Sequence, residues 1–359
     1  MTTVTRRPPL LEYVLPLRWE AHDGHAAALT ELVGYLKGLP SFVSILVVDG
    51  SPPELRDLHA RRMPAGVRML ACVPADGHNG KVDAILTAIP HLVGSRVVLA
   101  DDDVRYSAEA LLRLAALLHE ADLVRPQNHF VIDRSARSPW HVRWDTARTL
   151  VNRAWASDYP GTLGVRTEYL RGGYDAGVLF ENLELMRTVQ ARGGVLAVAD
   201  DLFVPRLPPT SRAFRGQRVR QAYDSFAQPA RLAAELSILP VLLLSLRRPA
   251  VGLLAAAAVV LCAERGRRRA HGRTVFPADA ALWAPLWLVE RGVCAWIAVG
   301  ARVRGGMPYR GTRLRTAANS LRTLRRRETA LAASTPSTES APSASAPSIH
   351  SHAPHEESR

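Results

Sequence analysis

Residues 94–112, GSRVVLADDDVRYSAEALL, constrain this chain more than any other stretch. The apolar run 97–100 stops at three consecutive carboxylates, Asp101, Asp102 and Asp103. After a short polar bridge, Ala108, Leu111, Leu112, Ala115 and Leu118 recur at helical spacing. A short apolar run that ends in acids and gives way to a helix reads as a buried strand of an open α/β sheet. Such sheets gather ligand chemistry at the carboxyl ends of their strands. Asp101 and Asp103 sit at alternate positions around a tight turn. From there they can offer oxygens to a hard divalent cation that keeps its waters and bridges a diphosphate. A solvated acidic turn capping the next helix would use the same residues, so the flanking units decide.

Those units repeat. Residues 13–17 read as a first strand with Pro16 near its end, 26–36 as an apolar-periodic helix, and 42–48 as a β-branched strand running into Asp49-Gly50-Ser51. A helix over 53–62, a strand over 67–73 and a helix over 81–89 lead to the strand 96–100. Strands alternating with helices of this length predict a mostly parallel sheet. Two of its strands then end in acids, Asp49 and Asp101, on one edge. Lys81, one of only two lysines in the chain, follows Gly80 in a turn beside that edge.

Beyond residue 120 the pattern loosens. A strand is expected at 122–126, a tryptophan-bearing helix at 140–155 and a strand at 195–199. Glu181 and Glu184 open a helix that runs to Gln190, where the helix dipole favours acids with or without a chemical role. Gln217 lies among Arg212, Arg215, Arg218 and Arg220, which suit either a solvated basic face or a grip on phosphate.

The net charge of +13 is concentrated: residues 201–330 hold 23 arginines, no lysine and 7 acids. Such asymmetry points to a polyanion, nucleic acid or an anionic membrane face. The apolar runs between the arginines favour the membrane over nucleic acid. Runs 232–246 and 249–263 are 15 residues each, and 280–301 carries Glu290-Arg291 at its centre. A helix of that shorter length spans about 22 Å, less than a hydrocarbon core of about 30 Å. Thin crossings, a re-entrant hairpin and in-plane helices all fit. Basic blocks at 265–273 and 302–327 belong on the cytoplasmic side and require an even number of crossings. Cys72, Cys262 and Cys294 form neither a disulfide framework nor a zinc pattern, as in a reducing compartment. Glu12 interrupts the apolar start, so no cleavable leader is expected. Residues 331–359 read as a disordered tail.

Taken in order, VLPLRW, ILVVDGSPPE, NGKVDAILTAI, VVLADDDVRYSAEAL, GGYD…LFENLELMRTVQARGG and QRVRQ resemble a family 2 glycosyltransferase of the GT-A fold, over about residues 10–225. The resemblance implies a Rossmann-like α/β fold, a mostly parallel sheet with helices on both faces, followed by C-terminal membrane-associated helices. It implies a nucleotide-diphosphate sugar donor, UDP-linked by default, a Mg²⁺ or Mn²⁺ ion and an inverting, hexosyltransferase-like reaction. Carried over, Asp101 and Asp103 hold the metal. Pro16, Asp49, Lys81, Asp101, Asp102, Gln217 and Arg220 contact the donor, and Glu181 or Glu184 is the base. The expected divisions are a flexible 1–9, a catalytic 10–228 separable by a cut after Gln228, membrane helices over 229–303, a basic cytoplasmic segment 304–330 and the tail. The acceptor is expected on a lipid or polyprenyl carrier at the cell membrane, with the catalytic domain in the cytoplasm.

Two departures stand out. The family's Glu-Asp pair is Glu181-Asn182 here, and Gln221 stands where its QxxRW motif has Trp. They leave room for a catalytically inactive, membrane-bound scaffold of the same fold. A sugar nucleotidyltransferase would carry a Gly-rich basic loop after the first strand, and 18–24 offers none.

Overall fold

The computed structural model describes residues 9–21, 24–75, 77–131, 139–156 and 158–334. The flexible start and disordered tail expected from sequence lie almost wholly outside them.

The first half alternates as expected: β1 Leu11–Leu17, α1 His25–Lys37, β2 Val43–Asp49, α2 Pro53–Arg62, β3 Arg68–Ala71, α3 Gly80–Ala88, β4 Arg96–Ala100 and α4 Ala108–Glu120. Then follow β5 Leu123–Phe130, α5 Trp140–Trp155, β6 Thr162–Arg166, the single turn α6 Thr167–Leu170, α7 Glu181–Ala191, β7 Leu196–Arg206 and α8 Ser211–Tyr223. The seven strands form one sheet in the order β3-β2-β1-β4-β6-β5-β7. All neighbouring pairs are parallel except those made by β6, which runs against both β4 and β5. Apolar side chains on alternate positions of β1 face two separate cores. Tyr13 and Leu15 pack in one with α4, and Val14 packs in the other with α3 and α7. Burial on both faces explains why the strands read as continuous apolar runs.

Three long helices follow: α9 Pro229–Arg247, α10 Pro249–Arg268 and α11 Ala284–Val303. By length and composition, the segments Pro229–Arg247, Pro249–Thr274 and Ala278–Val303 could each cross a membrane. They do not form a detached bundle. Gly266 of α10 lies on the backbone of α5, so close that a Cβ there would stand 1.8 Å from the Leu150 carbonyl oxygen. Ala147, Leu150, Val259, Ala263 and Ala284 share one core across α5, α10 and α11.

The segment 304–330 is not a loose basic stretch. A hairpin of β8 Met307–Tyr309 and β9 Thr312–Leu314 leads into a strap and then α12 Leu321–Ser334. Leu179 and Phe180 donate their amides to the carbonyls of Thr316 and Ala317, at 3.0 and 2.7 Å. Arg187 of α7 donates to the carbonyl of Ala227, before the first long helix, and to that of Asn319, after the last, at 2.8 and 2.7 Å. The chain therefore leaves the α/β fold and returns to the same face of it.

Candidate active site

The carboxyl ends of β1 and β4, the start of α3, the start of α7, the end of β7 and α8 surround a cavity of about 700 Å³. Pro16, Lys81, Asp101, Asp102, Asp103, Glu181, Gln217 and Arg220 all line it. Its walls carry eight basic and six acidic side chains, a balance suited to a polyanion.

The backbone sets the acids. Asp101 follows β4, and its amide donates to the Gly161 carbonyl at 2.9 Å. Any side chain at Gly161 would crowd it, since a Cβ there would stand 2.5 Å from Asp101 Oδ2. Lys81 Nζ donates to Asp101 Oδ1 at 2.6 Å and lies 3.2 Å from Glu181 Oε1. Burial would lower the Lys81 pKa, but Asp101 and Glu181 outweigh it and hold the ammonium charged. Arg206 Nη2 donates to Asp103 Oδ2 at 2.7 Å and lies 3.7 Å from Asp101 Oδ2. Glu181 also accepts from Asn79 Nδ2 at 3.2 Å and faces Arg220 at 3.8 Å.

The third aspartate behaves differently. Asp102 accepts from Trp19 Nε1, and burial pushes its carboxyl up to about 6.

Two expected site residues do not reach the cavity. Asp49 is buried, accepting from the Ser51 amide at 2.8 Å and pairing with His59 Nδ1 at 2.6 Å. Both oxygens are engaged inside the fold, and its neighbour Gly50, not Asp49, lines the cavity. Glu184 is a clearer correction. It is fully buried, taking the amide of Asn319 at 2.6 Å and its Nδ2 at 2.8 Å. Burial raises its pKa, but it holds the strap rather than a substrate. Glu184 stands about 60° round the helix from Glu181, and the backbone amide and side chain of Asn319 take both of its oxygens away from the cavity.

Other lining residues were invisible in the sequence. Tyr309 Oη, on the hairpin, accepts from the Gly80 amide at 3.1 Å and donates to Asn79 Oδ1 at 3.2 Å. Arg310 lies over the same helix start, its guanidinium 1.8 Å from where a Gly80 Cβ would be. Arg206 belongs with the acids at the strand ends, and Arg148, Asp158, Asp224, Arg231 and Arg291 complete the lining. A basic motif such as YRGTR gives no sign that it folds back 230 residues to a helix start.

Among the described residues no group of three or more His, Cys, Asp or Glu side chains could hold a metal. Asp101 and Asp103 are a two-carboxylate mount, each about a quarter exposed to the cavity. That donor set would suit a hard cation completed by water and phosphate oxygens, in place of the ion pair that Asp103 makes with Arg206.

No protein-family model matches the chain, and neither does any curated protein sequence. Among solved structures, the chain is similar to mannosyltransferase PcManGT from Pyrobaculum calidifontis, in complex with GDP-Man and Mn²⁺, at 18% identity and TM-score 0.44 over 92% of this chain and 82% of that one. S. aureus TarS 1-349 in complex with UDP-GlcNAc matches at 15% identity and TM-score 0.38, over 57% of this chain and 60% of that one. Glucosyl-3-phosphoglycerate synthase from Mycobacterium tuberculosis, with Mn²⁺, UDP and glucosyl-3-phosphoglycerate, matches at 15% and 0.38, over 57% and 74%. Similarity of this degree assigns no activity to the present chain.

Proposed function

We propose that the protein is a membrane-seated, metal-assisted glycosyltransferase that moves a sugar from a nucleotide-diphosphate donor to an acceptor at the membrane, with inversion. One observation carries this reading: Lys81, Asp101, Asp103, Arg206 and Arg220, from four separate elements, converge on one cavity at the strand ends. Cations held by carboxylates at such a place suit a diphosphate leaving group. A divalent ion on Asp101 and Asp103 would supply further neutralisation of that charge. Lys81, Arg206 and Arg220 bind the phosphates, while Glu181 holds Lys81, Asn79 and Arg220 in register. UDP-sugars head the donor panel on the family resemblance.

Packing supports a seat along the membrane surface. Arg187 binds backbone on both sides of the apolar block. An odd number of crossings would separate those two segments, so all three helices cannot cross. A full crossing by the α9–α10 pair would need both helices free along their length, yet the second half of α10 is packed on α5. The free part carries exposed Leu243, Leu244, Leu253 and Leu254 and ends in Arg247-Arg248. Ending that hairpin in mid-bilayer would place two arginines where charge is costliest. It lies instead along the interface, leucines in lipid and arginines among the headgroups, on the cytoplasmic face of the cell membrane.

The test is a donor panel. Purified full-length protein with Mn²⁺ or Mg²⁺ should release nucleotide from one nucleotide sugar. Glu181→Gln should slow that release while Glu184→Gln lowers only stability. No release from any donor by the wild type would favour the inactive scaffold that Asn182 suggests.

A further inference from the structure

Six carboxylates line the cavity, and five of them are already committed. Asp101 and Asp103 are held by Lys81 and Arg206, and together they form the two-carboxylate mount. Asp102 accepts from Trp19 Nε1. Glu181 is shared among Lys81, Asn79 and Arg220. Asp158 accepts from Arg148 Nη1, Thr149 Oγ1 and Asn152 Nδ2, each at 2.7 Å. Burial works against its charge, yet those partners hold its carboxyl below the usual range. The sixth is Asp224. Its Oδ1 is buried with no hydrogen-bond partner, and no ion pair holds its carboxylate among the described residues.

The helix α8 sets where Asp224 stands. It closes that helix with helical backbone angles, φ −57° and ψ −25°, four residues after Arg220 and seven after Gln217. At about 3.6 residues per turn the three share one face, and all three line the cavity. Arg220, 3.8 Å from Glu181, ties that face to the acids at the strand ends. Asp224 lies one turn further on, with Arg220 of α8, Glu181 of α7, Arg231 of α9 and Arg291 of α11 as its charged neighbours. The adjacent Tyr223 Oη donates to the Arg315 carbonyl at 2.7 Å and anchors this turn to the strap. An attacking hydroxyl must shed its proton, and a carboxylate takes it best when its pKa lies near the working pH. Burial pushes Asp224 up to about 7, against the pull of Arg220. The alternatives are spent: Asn182 takes no proton and donates to the Pro160 carbonyl at 2.7 Å, and Glu184 holds Asn319.

We propose that Asp224 is the general base, and that the group it activates is an acceptor hydroxyl. This rests on the glycosyltransferase reading. The hydroxyl oxygen forms the new bond to the anomeric carbon while its proton passes to an Asp224 oxygen. The bond from that carbon to the donor's β-phosphate oxygen breaks, and the nucleoside diphosphate leaves with the electron pair. Glu181 keeps a positioning role, holding Lys81 and Arg220 in place.

The test measures single-turnover release of nucleotide to water, the smallest hydroxyl acceptor. It uses the full-length protein with Mn²⁺ and the nucleotide sugar that the wild type turns over. The wild-type rate should rise from pH 6 to pH 8. Asp224→Asn should be about 10²-fold slower and lose that rise, with KM for the donor at pH 6 and Tm close to the wild type. Sodium formate should speed Asp224→Ala at least about tenfold, because a small carboxylate fits the space the side chain leaves and takes the same proton. It should not speed the wild type or Glu181→Ala, and a purely structural role for Asp224 predicts no such rescue. An Asp224→Asn that keeps the wild-type rate, or an Asp224→Ala loss that formate leaves in place, would overturn the assignment while the glycosyltransferase reading stands. Formate rescue of Glu181→Ala in its stead would make Glu181 the base. A wild type that turns over no nucleotide sugar would remove both readings.

Discussion

The two ends of the cavity differ in how their charges are satisfied. Beneath the strand ends three carboxylates meet cations, Asp101 with Lys81, Asp103 with Arg206 and Glu181 with Lys81 and Arg220, while Asp102 is bonded to Trp19. Between α8, α9 and α11, atoms of Arg218, Asp224, Gln228, Glu290 and Arg291 lie buried with no hydrogen bond. The first end is preorganised by ion pairs, whereas the second holds unpaired groups of both signs among the described residues. Leaving buried charge unmatched costs several kcal/mol, which a protein bears where binding can recover it.

The largest effect that would break this comparison comes from removing what joins the ends. Truncation after Gln228 strips Asn319 from Glu184 and Asp175, the strap from Leu179 and Phe180, and Tyr309 from Gly80. The fragment should be insoluble or molten by circular dichroism, contrary to the separable domain expected from sequence. A soluble, nucleotide-binding fragment would show the two ends to be independent.

Next in size is Asp103→Ala. It frees Arg206 and removes half of the two-carboxylate mount, so sugar transfer should fall by about 10²–10³-fold. Sedimentation with vesicles should not change. Arg310→Ala should weaken nucleotide binding by about tenfold, the loss expected for one charge-assisted contact, and titration calorimetry would read it.

A smaller effect sharpens the contrast. Burial pushes Asp224 up to about 7, with Arg220, Glu181, Arg231 and Arg291 as its charged neighbours. Below that pH it is neutral and can donate a hydrogen bond; above it, it adds a negative charge to the cavity. Affinity for UDP or GDP should therefore fall from pH 6 to 8 relative to Asp224→Asn. That comparison cancels the ligand's own second ionisation near 6.

The same contrast divides what the sequence discloses. The strand periods of 42–48 and 96–100 disclosed the sheet, and acids at their ends marked its active edge, because burial on both faces leaves continuous apolar runs. Asp101 and Asp103 were legible because they follow β4, Lys81 and Glu181 because they open α3 and α7, and Arg220 because it stands in the basic run of α8. Asp49 was misread because His59, ten residues on, captures its carboxylate. Glu184 was misread because Asn319, 135 residues away, completes its site. Tyr309, Arg310 and Arg291 follow or lie within apolar helices whose own pattern says membrane, and no local period reveals which face turns inward to a cavity.

The central claim is that these scattered residues enclose a nucleoside diphosphate. It is tested most directly by thermal unfolding of the full-length protein with UDP or GDP, with and without Mn²⁺. A metal-dependent rise in Tm, absent in Asp103→Ala, is the expected result. No shift with either nucleotide, in the presence of the metal, would contradict it.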